Sequence, residues 1–237
     1  MAPGTLAILF WRTTMPSARF LLLALLPVFA GCQMFDSEPE KTPVPVVRMQ
    51  GELSAVDNRL QFRPCQEQRH FILEDTASTG LLQESAALLN NGKGTLFADL
   101  EGQMTASKTS GTDGQINLTR LYRIQNEGLN CNDLNFKRLT IRASGHEPDW
   151  VINANHEGLI LERPGQESLV LPYLEEQLPE GRFNLSSAAN GHLLELWVAP
   201  QRCIDSISGS VQHLSAELRL DGKVMRGCAY YGGARQD

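Results

Sequence analysis

Residues 59–104, RLQFRPCQEQRHFILEDTASTGLLQESAALLNNGKGTLFADLEGQM, carry the signals that decide the fold. Leu60 and Phe62 alternate with Arg59, Gln61 and Arg63, the period of two that a half-buried strand needs. Phe71-Ile72-Leu73 is a short apolar strand. The period then changes: Leu81, Leu82, Ala86 and Leu89 fall on one helical face, and Asn90-Asn91-Gly92 stops that helix. Strand patterning resumes over 95–104. Working outward, the alternation begins at Val46 and a further strand spans 115–124. The order is strand, strand, strand, helix, strand, strand.

That is the element order of a five-stranded OB barrel, whose helix lies between its third and fourth strands. The remainder of the chain has no comparable helix. Strands are expected near 139–143, 150–155, 159–162, 169–172, 182–185, 193–198, 211–220 and 223–229. Leu214, Ala216, Leu218 and Leu220 face one side of the seventh, while Ser215, Glu217 and Arg219 face the other. Glu157-Gly158, Pro164-Gly165, Asn190-Gly191 and Asp221-Gly222 mark turns. Eight short strands at this spacing predict a small closed barrel. The fold class is therefore all-β, with an OB-like barrel over 46–134 and a second barrel over 135–237.

Residues 1–45 read as an export and anchoring segment. Arg12 and Arg19 precede the apolar run Phe20 to Ala30, long enough for a signal-peptide core and too short to span a bilayer. Val28-Phe29-Ala30-Gly31-Cys32 resembles the lipobox of bacterial lipoproteins, with Phe29 where leucine is usual. Residues 1–31 are then the signal peptide and Cys32 the site of diacylglycerol and palmitate attachment. Met15-Pro16-Ser17-Ala18-Arg19 would alone start a compact signal, which makes Met15 the expected initiator. Residues 32–45 form an acidic, proline-bearing tether. Gln33 stands where an aspartate favours inner-membrane retention in such lipoproteins, so an outer-membrane, periplasm-facing location is implied. Without residues 1–31 the chain carries 19 Lys+Arg against 27 Asp+Glu, a formal charge of −8. That acidity disfavours anionic head groups and leaves the lipid as the anchor.

Two resemblances extend this reading. Phe62-x-x-Cys65, then Phe97-Ala98-Asp99-Leu100-Glu101-Gly102-Gln103, Arg120-Leu121-Tyr122 and Cys131, resemble the OB-type domain of NlpE-like envelope-stress lipoproteins. Gly145-His146-Glu147-Pro148-Asp149-Trp150 and the closing Leu220 to Cys228 segment are similar to an uncharacterised family of META-like envelope barrels. The copper-associated C-x-x-C of the NlpE amino-terminal domain is absent, so copper handling is not implied. Neither family supplies an established catalytic site.

The five cysteines are Cys32, Cys65, Cys131, Cys203 and Cys228. With Cys32 lipidated, four remain, and four allow three pairings in an oxidising compartment. A domain boundary near Cys131 points to Cys65–Cys131 and Cys203–Cys228, one in each barrel. Their loops of about 65 and 25 residues correspond to about 4.4 and 3.5 kcal/mol of chain entropy. Failed oxidation could expose a signalling surface, as the NlpE resemblance implies; a purely structural role suits Cys203–Cys228 better.

A composition of 42% hydrophobic and 20% charged residues excludes a disordered chain, and no basic patch fits nucleic acid. His70, His146, His156, His192 and His213 are scattered, with no H-E-x-x-H, so surface or singly hydrogen-bonded histidines are expected and no metal. His146, Glu147, Asp149 and Trp150 could line a ligand site at a barrel mouth. A proline turn leading into a strand, with Trp150 in the core, fits that segment better. Tyr230-Tyr231-Gly232-Gly233 reads more simply as a frayed terminus than as an aromatic ligand edge. No G-x-S-x-G, Ser-x-x-Lys or phosphate-cradling loop occurs, so no catalytic residue and no cofactor is expected. The function expected is a non-enzymatic membrane lipoprotein that binds an envelope protein partner or ligand and reports envelope or redox stress. The alternative is an envelope hydrolase whose site is assembled from dispersed residues. Replacing Cys32 with alanine is expected to abolish lipid attachment; incorporation of radiolabelled palmitate at the normal level into Cys32→Ala would refute it.

Overall fold

Alternating side chains build both sheets. The computed structural model describes residues 44–89 and 94–235, so the signal segment, Cys32 and the tether up to residue 43 lie outside the described residues. The first sheet contains β1 (Val46–Val56), β2 (Arg59–Pro64) and β3 (Phe71–Glu74), then, after α1 (Leu81–Leu89), β4 (Thr95–Thr105) and β5 (Gly114–Gln125). β1 pairs with β2 and β4, β2 with β3, and β4 with β5, all antiparallel; β3 runs parallel to β5. These five strands close into an OB-like barrel. Leu53, Phe62, Leu96, Leu100, Ile116 and Leu118 fill it.

The helix lies where expected, but rotated. Leu81, Ser85 and Leu88 face inward, and Leu82 is exposed. Pattern reading prefers Ala86 to a serine on the buried face. Here the Ser85 hydroxyl donates to the Leu82 carbonyl at 3.1 Å, so its burial leaves no unpaired polar atom.

The rest of the chain forms α2 (Leu134–Arg138), β6 (Ile141–His146), β7 (Asp149–Asn155), β8 (Gly158–Glu162), β9 (Leu169–Leu171) and β10 (Leu174–Gln177). These are followed by β11 (Phe183–Ala189), β12 (His192–Ala199), β13 (Cys203–Ile204), β14 (Val211–Gln212), β15 (Leu214–Leu220) and β16 (Lys223–Tyr231). Nine of them make one antiparallel sheet in the order β10-β11-β12-β15-β16-β6-β7-β8-β9. It curls into a half-barrel, with β9 and β10 at its edges, and has nine strands where eight were expected. Asn190-Gly191 and Asp221-Gly222 both have positive φ, as two-residue hairpins require. Trp150, Ile152, Leu161, Phe183, Leu196 and Leu218 belong to the core on its concave side.

Residues 203–212 depart from the sequence reading. β13 and β14 form a small hairpin that joins the barrel sheet, with Val211 opposite Ile124 and Gln212 opposite Arg123. β3 covers only 114–117 of β5, which leaves unpaired backbone groups farther along that strand, and β14 takes two of these positions. Both expected disulfides form, with Cα separations of 5.1 Å for Cys65–Cys131 and 5.5 Å for Cys203–Cys228. The second does not lie within one barrel. It ties β13 of the barrel sheet to β16 of the half-barrel.

Between the sheets lies a third, smaller core of Phe97, Cys131, Phe136, Leu139 and Tyr230. It surrounds Arg123, which is completely buried. The guanidinium carbon lies 3.7 Å from the Tyr230 ring centroid, 4.2 Å from Phe97 and 5.2 Å from Phe136. Tyr230 and Tyr231 are therefore packed residues of β16, not a frayed terminus. Because a desolvated cation over an aromatic face contributes about 2 kcal/mol, Tyr230→Leu is expected to lower unfolding free energy by about that much. Tyr230→Phe, which keeps the ring, should lose less than half of it in urea denaturation.

Candidate functional site

The β6–β7 turn carries His146, Glu147, Pro148 and Asp149 at one end of the half-barrel. The imidazole reaches in two directions. Its Nε2 lies 2.8 Å from an Asp205 carboxylate oxygen and its Nδ1 lies 3.2 Å from Asp149. Asp205 is nearly buried on the β13–β14 connection. Its other oxygen accepts from the backbone N–H groups of Ile207 (3.1 Å) and Ser208 (2.8 Å), and from the Ser208 hydroxyl (2.9 Å). One carboxylate thus folds its own loop and docks that loop on the half-barrel.

The charge states follow from this geometry. Burial pulls the Asp205 carboxyl upward, but the Ser208 N–H, His146 and the Ser208 hydroxyl outweigh it and hold it below the ordinary carboxylate value. The hydrogen bond to Asp205 is the main cause of a raised His146 pKa, with Asp149 adding to it. With both ring nitrogens facing carboxylates, the protonated form of the imidazole is favoured.

The docked loop separates two clefts. One, of about 540 Å³, is lined by His146, Glu147, Cys203, Asp205, Arg226 and Cys228. β6 and β16 approach closely beneath it: a Cβ on Gly227 would fall 1.9 Å from the Ser144 carbonyl oxygen, and one on Gly145 would fall 2.2 Å from that of Arg226. Only glycine fits either position. The other cleft, of about 510 Å³, is lined by His146, Asp149, Trp150, Arg163, Pro164 and Ile207, among others.

Of the four residues singled out in sequence, His146 and Asp149 interact directly. Trp150 is 1% exposed and belongs to the half-barrel core, as the turn-and-strand reading expects, while it also lines the second cleft. Glu147 lies on the exposed turn. Asp205 was missed. Its signal was present in Asp205-Ser206-Ile207-Ser208-Gly209-Ser210, a composition suited to an aspartate capping its own loop. The remaining histidines differ in role. His70 and His156 are exposed, and His192 pairs with Asp221 at 2.8 Å. His213, on the single residue between β14 and β15, contacts the Tyr122 carbonyl at 3.1 Å, and burial pushes its pKa down to about 4.

Among the described residues, no group of three or more His, Cys, Asp or Glu is placed to hold a metal ion. No helix there is long and apolar enough to cross a membrane. Comparison of the chain with protein-family models, curated proteins and solved structures gives no match. What the site offers is two clefts divided by a loop that an ion pair and a disulfide hold in place.

The ion pair makes loop docking pH-dependent. Asp205, with its lowered pKa, contributes above the ordinary carboxylate value and loses that contribution as pH falls through its own value. His146, with its raised pKa, contributes fully below the ordinary imidazole value and loses that contribution as pH rises through its own. The pair is therefore at full strength between about pH 4 and 6.5. The difference in urea midpoint between wild type and His146→Asn is expected to be largest near pH 6 and to shrink steadily toward pH 9. A difference independent of pH would show that the imidazole acts by shape alone.

Proposed function

We propose that the chain is an outer-membrane lipoprotein, anchored through Cys32, that binds an envelope partner or ligand without catalysis and reports redox stress through Cys203–Cys228. In this reading the barrel and half-barrel are the NlpE-like and META-like domains, and the protein faces the periplasm. The observation that carries it is the cysteine arrangement. Two disulfides use four of the five cysteines, which leaves Cys32, at the lipobox-like run, for the lipid.

The sequence favours a purely structural role for Cys203–Cys228; its placement between strands of different sheets is what moves the reporting role to this bond. Cys203 is half-buried, and the bond ties together strands of different sheets. Without it, the β13–β14 hairpin would be held by the short pairing to β5, the burial of Val211 in the barrel core, the Arg202–Glu84 ion pair on its approach and the Asp205–His146 contact. Cys65–Cys131, by contrast, lies in the central small core beside Phe97 and Phe136, where its loss would loosen the whole molecule. A stress reporter responding to the lipoprotein is expected to rise several-fold in Cys203→Ser/Cys228→Ser. Crosslinked pull-down from the membrane should then change its set of captured envelope proteins. Reporter output and captured proteins both unchanged would remove the sensing role.

A further inference from the structure

His213 is the single residue between β14, paired in the barrel sheet, and β15, paired in the half-barrel. Its Nδ1 lies 3.1 Å from the Tyr122 carbonyl oxygen, which can only accept, so Nδ1 carries the proton. The neutral ring then keeps its lone pair on Nε2. That atom is sealed from solvent and has no partner among the described residues. A proton placed there in the closed structure would be a buried donor with nothing to donate to.

The surrounding charges oppose that proton as well. The Tyr122 and Tyr231 rings that flank His213 also carry the Arg48 guanidinium, 4.3 and 5.6 Å from their centroids. Arg123, on β5 with Tyr122, is a second cation. Asp99 on β4 supplies a carboxylate, but it is already engaged. Arg48 donates to both of its oxygens at 2.9 Å, and Gln50 donates to one at 2.8 Å. An imidazolium here would be a third cation beside one occupied carboxylate. No other described histidine stands this way: His146 and His192 face carboxylates, and His70 and His156 are exposed.

The crossing is also unequally fastened. On the barrel side β14 meets β5 at two positions, Val211 with Ile124 and Gln212 with Arg123. On the half-barrel side β15 pairs with β16 from Leu214 to Leu220, and Cys203–Cys228 and Asp205–His146 hold the hairpin to the same sheet. Opening at His213 therefore takes Val211 out of the barrel core and parts the Arg202–Glu84 ion pair, while the half-barrel attachments remain.

We propose that His213 is an acid-operated latch between the sheets: proton uptake at Nε2 releases Val211 and Gln212 from β5, and the β13–β14 hairpin stays with the half-barrel. The latch depends on neither lipidation nor redox reporting. Burial first, then Arg48, pushes the His213 pKa down to about 4 in the closed state, against the pull of Asp99 and the Tyr122 carbonyl. Released, the imidazole returns to about 6.5. The closed state is thus at full strength above the ordinary imidazole value. Its closing constant falls about tenfold per pH unit from about pH 6.5 to about pH 4. The Asp205–His146 pair is at full strength across that window and contributes little slope.

The test is hydrogen–deuterium exchange of the mature lipidated protein in lipid nanodiscs, read over residues 203–214 and corrected for the intrinsic pH dependence of exchange. In the wild type the opening constant is expected to rise about tenfold from pH 6 to pH 5, while β11 and β12 stay protected. His213→Gln, whose amide can still donate to the Tyr122 carbonyl, should change by less than about twofold over the same interval. An equal slope in His213→Gln, a flat wild type, or equal loosening of β11 and β12 would overturn the latch. Should the variant not fold, the wild-type His213 Cε1–H resonance, assigned through its contacts with the Tyr122 and Tyr231 rings, decides the matter. Its titration midpoint is expected below about pH 5, and a midpoint near the ordinary imidazole value would overturn the proposal.

Discussion

A buried cation boxed by aromatic rings holds the two sheets together. Arg123 is on β5, Phe97 on β4, Phe136 on α2 and Tyr230 on β16. The rings thus come from the barrel, the linker and the half-barrel. Burial lowers the Arg123 pKa to about 10, which still leaves it charged at neutral pH. One amino group donates to the Leu129 carbonyl at 3.2 Å, and the other two nitrogens lack acceptors. For those nitrogens the ring faces stand in place of water. A lysine could not reproduce this, because its compact ammonium cannot stack its charge across three rings.

Around that centre two segments carry the chain between the sheets, the second of them out and back. The first crossing runs from β5 through Cys131 and α2 to β6, and Cys65–Cys131 ties it back to the barrel. The second leaves β12, adds the β13–β14 hairpin to the barrel sheet and returns at His213 to β15. That return is sharp: Gln212 pairs in one sheet and Leu214 in the other. His213 is wedged between the Tyr122 and Tyr231 rings, at centroid distances of 4.9 and 5.3 Å. Neutral imidazole suits this buried position, which explains its depressed pKa.

The hairpin that makes this second crossing also shapes the clefts. An Arg202–Glu84 ion pair connects its approach to α1, and Cys203–Cys228 and Asp205–His146 connect it to the half-barrel. Its loop is thus held from both sides. These tethers all meet on one short segment. Reduction would release one tether, and high pH would weaken another.

The OB-like strand order, the inward face of β15, the two Asx-Gly hairpins and the Cys65–Cys131 pair within the barrel half were all legible in the residues. Each depends on local patterning or on the order of elements along the chain, and such signals survive without tertiary context. Other features were not legible. β13 and β14 have two residues each, too few to show a period, and they exist because β5 leaves backbone groups unpaired. The rotation of α1 turned on whether Ser85 could satisfy its hydroxyl inside the barrel wall. Asp205 lies 59 residues from His146, and Tyr230 becomes a core residue only once Arg123 lies beneath it. The sequence by itself determined two all-β sheets, because alternation and turns are properties of the chain; it also named the disulfide partners, but from a one-bond-per-barrel premise that holds only for Cys65–Cys131. Only the tertiary structure decided that the second disulfide joins the sheets and that a cleft opens beside His146, because both depend on where a two-residue strand finds free hydrogen-bonding groups.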